Sequence, residues 1–236
     1  MAERLAILLS GGGTTADKIL EAIQSGEIPM EVACVIASNS QAGGIEKAKK
    51  RGIAEKDILV IDPQNFADQN QFGEALLQEL QKRNVTVITQ NGWMPLTPEV
   101  VIEKYKDRIF NQHPGPLPDF GGKGMYGRRV HAACLEFVRE TKRDFGTEAI
   151  AQRVAPNFDE GAVVKSARVE IFPEDTEDTL QERVLQVEHQ VQLALLKDVA
   201  NGTVTEEPMR QSLLREGEEQ ILFEAKKNAR RSYPHG

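Results

Sequence analysis

The chain has 236 residues, with 36 acidic against 29 basic and a formal net charge of -7. Hydrophobic residues at 40% and charged residues at 28% exclude a disordered chain, and 19 glycines exclude a collagen-like repeat. No apolar run approaches the roughly 20 residues that cross a bilayer, and the acidic balance argues against a general nucleic-acid binder.

In chain order, Leu5-Ala6-Ile7-Leu8-Leu9 reads as a fully buried strand, followed by a glycine turn and a helix over 15–25. A second strand is expected over 31–37, a helix over 44–51 and a third strand over 57–61. Phe72, Leu76, Leu77 and Leu80 place a helix over 72–82, ahead of a fourth strand over 85–89, a further strand over 108–111 and a helix over 125–141. Aliphatic strands alternating with helices imply a parallel sheet covered on both faces, so the expected fold class is a doubly wound α/β sheet. From Ala149 the pattern changes. Strand-like stretches over 149–154 and 162–171 flank a turn at 157–161, and a helix over 176–201 carries Leu180, Val184, Val187, Val191, Leu195 and Val199 as its apolar stripe. Beyond Gly202 the chain turns polar and reads as a mobile or loosely docked extension, giving one domain over 1–205 and a C-terminal extension over 206–236.

Ser10-Gly11-Gly12-Gly13-Thr14-Thr15 lies between the first strand and the first helix. Glycines there let backbone amides approach an anion, and the helix N-terminus favours negative charge; the same glycines also suit a plain turn with positive φ. No Gly-Lys-Ser/Thr follows, and the second strand ends Ala37-Ser38-Asn39 without an acidic residue for a ribose diol, so a monophosphate fits better than NAD. Asn111-Gln112-His113-Pro114-Gly115-Pro116-Leu117-Pro118 follows a predicted strand that the prolines must end. Asn111 and His113, two apart, point to one face at the carboxyl end of that strand, where an amide and an imidazole can steady an oxyanion and exchange a proton. A capped turn is the plainer alternative. Asp159, in Phe158-Asp159-Glu160-Gly161, is either a turn residue or a carboxylate returned to His113, where it would favour the imidazolium. Trp93, the single tryptophan, either walls a flat ligand pocket or fills the core. Lys123, Arg128 and Arg129 beside Gly121-Gly122 suit either an anion loop or a solvated charged loop. His131 and His189 read as surface or packing histidines without metal-ligand spacing, and Cys34 and Cys134 as reduced core thiols, so no metal is expected.

Taken in order, these segments resemble the folate-dependent formyltransferase family, whose pattern runs Ser-Gly-x-Gly-Ser-Asn, Ser-Asn, Gly-aromatic-Met, Asn-x-His-Pro-x-x-Leu-Pro and Asp-x-Gly. The matching stretches are Ser10 to Thr15, Ser38-Asn39, Gly92-Trp93-Met94, Asn111 to Pro118 and Asp159-Glu160-Gly161, and the resemblance spans about residues 4–200. It implies a Rossmann-like, mainly parallel sheet and 10-formyltetrahydrofolate as co-substrate. Within the family the likeness is nearest to the branch that formylates the amine of glycinamide ribonucleotide in purine synthesis. By position it implies Asn111, His113 and Asp159 as the catalytic trio, Gly13, Thr14 and Thr15 on the substrate phosphate, and Glu188 on the nucleotide. Met94, Pro95 and Leu96, with the turn around Asp159, match the folate pocket. It implies small-molecule substrates; the reduced thiols fit a cytoplasmic protein, and a monomer and a homodimer both stay open. Thr14-Thr15 replaces Ser-Asn, Pro95 an arginine, and Gln152 a histidine usual before the Asp-x-Gly turn. The rival readings are hydrolysis of the formyl folate and transfer to another phosphorylated amine; family hydrolases usually carry an N-terminal regulatory domain, and this chain starts at its first strand.

Overall fold

Leu5 to Leu9 offer no polar side chain to keep in water, and all five are completely buried in β1 (Glu3–Leu9). The computed structural model describes residues 2–143 and 145–234. Its chain divides into two compact units, one made of residues up to 112 with 153–156 and 192–204, the other of 113–152, 157–191 and the residues from 205 on.

In the first unit β1 lies between β2 (Met30–Ala37) and β4 (Val87–Gln90), with β3 (Ile58–Val60) outside β2 and β5 (Ile109–His113) beside β4, every pair parallel. Parallel neighbours need long crossovers, supplied by α1 (Thr14–Gln24), α2 (Gly44–Lys50), α3 (Gln69–Lys82) and α4 (Glu99–Lys104). Ala6 and Leu8 of β1 pack with Phe72, Leu76 and Leu80 of α3 and Val101 of α4. Leu5, Ile7 and Leu9 point to the other face and are equally buried, so the strand is covered on both sides as the aliphatic run requires.

The second unit holds β6 (Thr147–Arg153, whose last residue belongs to the first unit) and β7 (Val163–Val169), an antiparallel pair with a register slip between Ala151 and Gln152. With the five parallel strands these make seven strands of a mainly parallel α/β fold. α5 (Arg128–Thr141) begins later than the expected 125 because Gly124 and Gly127 take positive φ. α6 (Glu177–Asn201) keeps the predicted stripe: Leu180, Val184, Val191, Leu195 and Val199 are buried and Val187 is half-buried. Its start is pinned by buried Asp175, whose carboxylate pairs with Arg183 and accepts from the Thr179 hydroxyl and the Phe172 amide. The Arg183 hydrogen bonds, offset in part by burial, hold that carboxyl down to about 2.

The polar stretch beyond Gly202, expected to be mobile or loosely docked, contains an unpredicted helix, α7 (Glu219–Ser232). Leu222, Ala225 and Ala229 on its inner face join Phe120, Val130 and Phe137 in one apolar cluster. No helix among the described residues is long and apolar enough to cross a membrane.

Candidate functional site

In the first unit, the exits of β1, β2 and β4 are stitched together by Ser10. Its hydroxyl oxygen accepts from the Met94 amide at 2.9 Å and from the Ser38 hydroxyl at 2.6 Å, and Asn39 Nδ2 donates to its carbonyl at 3.0 Å. Gly13 sits at φ 66°, and a Cβ there would lie 2.5 Å from the Gly44 Cα, so only glycine fits. No side chain caps α1, which leaves the first-turn amides and the positive end of the helix dipole to an anion. Thr14 beside them is exposed and Thr15 buried. Trp93 fills the core, 93% buried and stacked on Phe72 with centroids 6.4 Å apart, rather than walling a pocket. Met94 and Leu96 are exposed and Pro95 is half-buried.

β5 runs through His113 rather than stopping at 111, and strand alternation turns Asn111 and His113 to one face. Asn111 is half-buried and makes no side-chain hydrogen bond among the described residues. His113, in the second unit, is 3% exposed. Its Nε2 lies 3.2 Å from the Phe120 carbonyl and its Nδ1 3.5 Å from Asp159 Oδ1. Asp159 Oδ1 also accepts from Gln152 Nε2 at 2.8 Å, and Oδ2 from the Gly122 amide at 3.0 Å. The turn therefore does return the carboxylate to the imidazole. It does so with Asp159 itself at φ 61°, a conformation Asp tolerates better than most side chains.

The electrostatics differ from the sequence expectation. Burial holds His113 below its ordinary 6.5, outweighing Asp159 and the Phe120 carbonyl, which both favour the proton. With its hydrogen on Nε2 donated to Phe120, a neutral ring turns a bare Nδ1 lone pair toward the carboxylate. A proton between Nδ1 and Oδ1 makes that contact attractive, so the pair is poised to take up one proton.

His131 and His189 are buried rather than on the helix surface. Burial, with a smaller contribution from nearby His113, pushes His131 down to about 4. Its Nδ1 and Gln152 Oε1 have no hydrogen-bond partner among the described residues. Glu188 is buried on α6. Of the basic loop residues, Arg129 is spent on structure: it donates to the carbonyls of Gly124, Tyr233 and Pro234 and lies over Tyr126. Arg128 pairs with Asp178, and Lys123 is exposed. Among the described residues no group of three His, Cys, Asp or Glu could hold a metal ion.

Sequence reasoning missed the part played by the loop backbone. Gly121 packs so closely that a Cβ would fall 2.4 Å from Leu117 Cδ2 and 2.8 Å from Asp159 Cβ. Gly121→Ala is expected to cost roughly 1–3 kcal/mol of stability by overpacking and to displace Asp159. Denaturant titration against wild type measures the first effect; an unchanged midpoint would mean that the loop yields freely.

The pattern of the formyl transferase family matches residues 3–196. Phosphoribosylglycinamide formyltransferase of Haemophilus influenzae is 30% identical over 206 residues, covering 85% of this chain and 88% of that protein. The chloroplastic phosphoribosylglycinamide formyltransferase of Arabidopsis thaliana is 29% identical over 209 residues, covering 88% and 67% respectively. Among solved structures, glycinamide ribonucleotide transformylase 1 from Symbiobacterium toebii matches with a TM-score of 0.77 at 28% identity, covering 91% of this chain and 95% of that one.

Proposed function

The chain belongs to the formyl transferase family, and from that premise we propose that it transfers a formyl group from 10-formyltetrahydrofolate to the amine of glycinamide ribonucleotide, a step of purine synthesis. The buried His113–Asp159 contact carries this reading, because it supplies a proton-exchanging imidazole and its carboxylate in the segments that the family resemblance singles out. The relatives named for the same reaction support the choice of acceptor.

The substrate amine attacks the formyl carbon, a C–N bond forms, and the carbonyl pair moves onto oxygen. The Asn111 amide, which has no competing side-chain partner, donates to that oxyanion. His113 accepts the proton that the amine sheds as it becomes an amide nitrogen, and Asp159 stabilises the resulting imidazolium. Collapse of the adduct breaks the bond to folate N10, which leaves with a proton, so the proton lost by the amine is balanced by the one gained at N10. We assign the substrate phosphate to the Gly13, Thr14 and Thr15 amides and hydroxyls and the nucleotide to Glu188. We assign the folate to Met94, Pro95 and Leu96; in the second unit the Asp159 turn, which the same resemblance gives to the folate, borders a cavity of about 460 Å³ lined in part by Leu117, Pro118, Gly161 and Val163.

The first test follows absorbance of the formyl folate with purified protein, with and without glycinamide ribonucleotide. Deformylation only with the ribonucleotide supports the transferase; deformylation without it makes the protein a hydrolase, and no reaction in either tube removes the proposal. Asn111→Ala is expected to lower kcat about a hundredfold or more with a wild-type melting curve. Near-normal turnover would take Asn111 out of the mechanism.

A further inference from the structure

We propose that Lys226 of α7 is a positioning residue for the His113–Asp159 pair, acting through the backbone of the 119–122 loop; this rests on the reading that the pair carries the transfer. The Lys226 ammonium donates to the carbonyls of Asp119 at 2.7 Å and Gly121 at 2.8 Å. The carbonyl between them, on Phe120, turns the other way and accepts from His113. Gly121 C=O and Gly122 N–H belong to one peptide unit. Its oxygen receives the ammonium and its N–H donates to Asp159, so a single polarised amide links the lysine to the carboxylate.

Further backbone groups of the loop are also committed. Phe120 N–H donates to Pro116 O at 2.9 Å, Gly121 N–H to Pro118 O at 3.3 Å, and Met125 N–H to Gly122 O at 2.9 Å. The Asp119 carboxylate accepts from the Ser212 hydroxyl at 2.8 Å and the Leu213 amide at 2.7 Å, which ties the chain ahead of α7 to the same loop. A loop with two consecutive glycines, one at φ 94°, has little intrinsic stiffness, and the lysine supplies it from outside. An ammonium on the inner side of a helix costs free energy unless acceptors surround it, and here two carbonyls do, with the Asp119 and Asp159 carboxylates nearby and Arg230 opposing. Lys226 touches no atom that the proposed chemistry transforms, so its effect runs through where it holds Phe120 O and Gly122 N.

The test compares Lys226→Met, Lys226→Gln and Lys226→Arg with Lys227→Met, the exposed neighbour that pairs with Glu224 and lies over the Phe223 ring on the same helix. Lys226→Met is expected to lower kcat about ten- to a hundredfold with KM for the ribonucleotide within about twofold, since misplacing reacting groups by about an ångström costs on this scale. Lys226→Arg, which keeps the charge and donors, is expected to restore kcat to within a few-fold of wild type; Lys227→Met should match wild type. Titration of the His113 ring followed by NMR should move to higher pH in Lys226→Met, because a positive charge leaves and the Gly122 N–H that donates to Asp159 is no longer polarised through its peptide unit. If Lys226→Met does not fold, Lys226→Gln, which keeps a donor without the charge, carries the same expectations. A folded Lys226→Met or Lys226→Gln variant with wild-type kcat and an unmoved His113 titration would overturn the proposal, as would an equal loss in Lys227→Met. A wild-type protein without transferase activity would instead bring down the functional reading, and the histidine titration would still report on the brace.

Discussion

His113→Ala should reduce formyl transfer by at least about a hundredfold while leaving the protein folded. The substitution removes the imidazole of His113, which lies against both the Phe120 carbonyl and Asp159. Loss of a group that stabilises charge developing in a dry site typically costs two to three powers of ten. Folding should survive because burial already disfavours the charged form of this ring, and the Asp159 carboxylate keeps its Gln152 and Gly122 donors when the ring is removed. Stopped-flow turnover of the formyl folate with saturating ribonucleotide gives the activity, and circular-dichroism melting the fold. Turnover within a few-fold of wild type in a folded variant would exclude the imidazole as the proton acceptor.

Asp159→Asn should produce a comparable loss with a distinct pH signature. Asp159 favours the imidazolium against the desolvation that pulls His113 below 6.5. Replacing the carboxylate by an amide removes that support, so the titration of His113 moves further down. Two consequences follow from the sign. The limb of the pH–rate profile governed by His113 shifts toward acid. The stability gained by burying a neutral imidazole is present above 6.5 and lost as pH falls through the folded value; in the variant that loss runs to lower pH and becomes larger. The asparagine Oδ1 can still accept from Gln152, whereas its amide group meets the Gly122 N–H donor to donor. Position and charge are thus both perturbed, and an unchanged pH–rate profile would sever the coupling between the two residues.

The parallel half of the fold was legible because its strands carry the signal themselves. β1 and β2 are continuous aliphatic runs, and such runs mean burial on both faces. α4 was not, because Val100-Val101-Ile102 is a β-branched stretch whose composition speaks for a strand, while Pro98 ahead of it starts a short helix. α7 escaped notice for a different reason. Its inner face is made of Leu222, Ala225, Lys226 and Ala229, a few apolar residues and a cation in a strongly charged stretch, so the segment reads as polar until α5 is placed beside it. The site shows the same division. Asn111, His113 and Asp159 stood out by residue type and by family pattern, but which way His113 titrates depended on burial that no local pattern reports. Phe120 and Gly122 act through main-chain atoms, which every residue possesses, and Lys226 lies 105 and 107 positions from the carbonyls it grips.

The two thiols were described only as core residues, yet their chemistry has a practical side. Cys34 and Cys134 are fully buried, and burial pushes both up to about 12, leaving only about one in 100,000 as the reactive thiolate at neutral pH. The native chain is therefore silent to maleimides and haloacetamides without any cysteine being removed. A single cysteine introduced at exposed Lys123, beside the 119–122 loop, would take up a fluorophore alone and turn that loop into an optical reporter of substrate arrival.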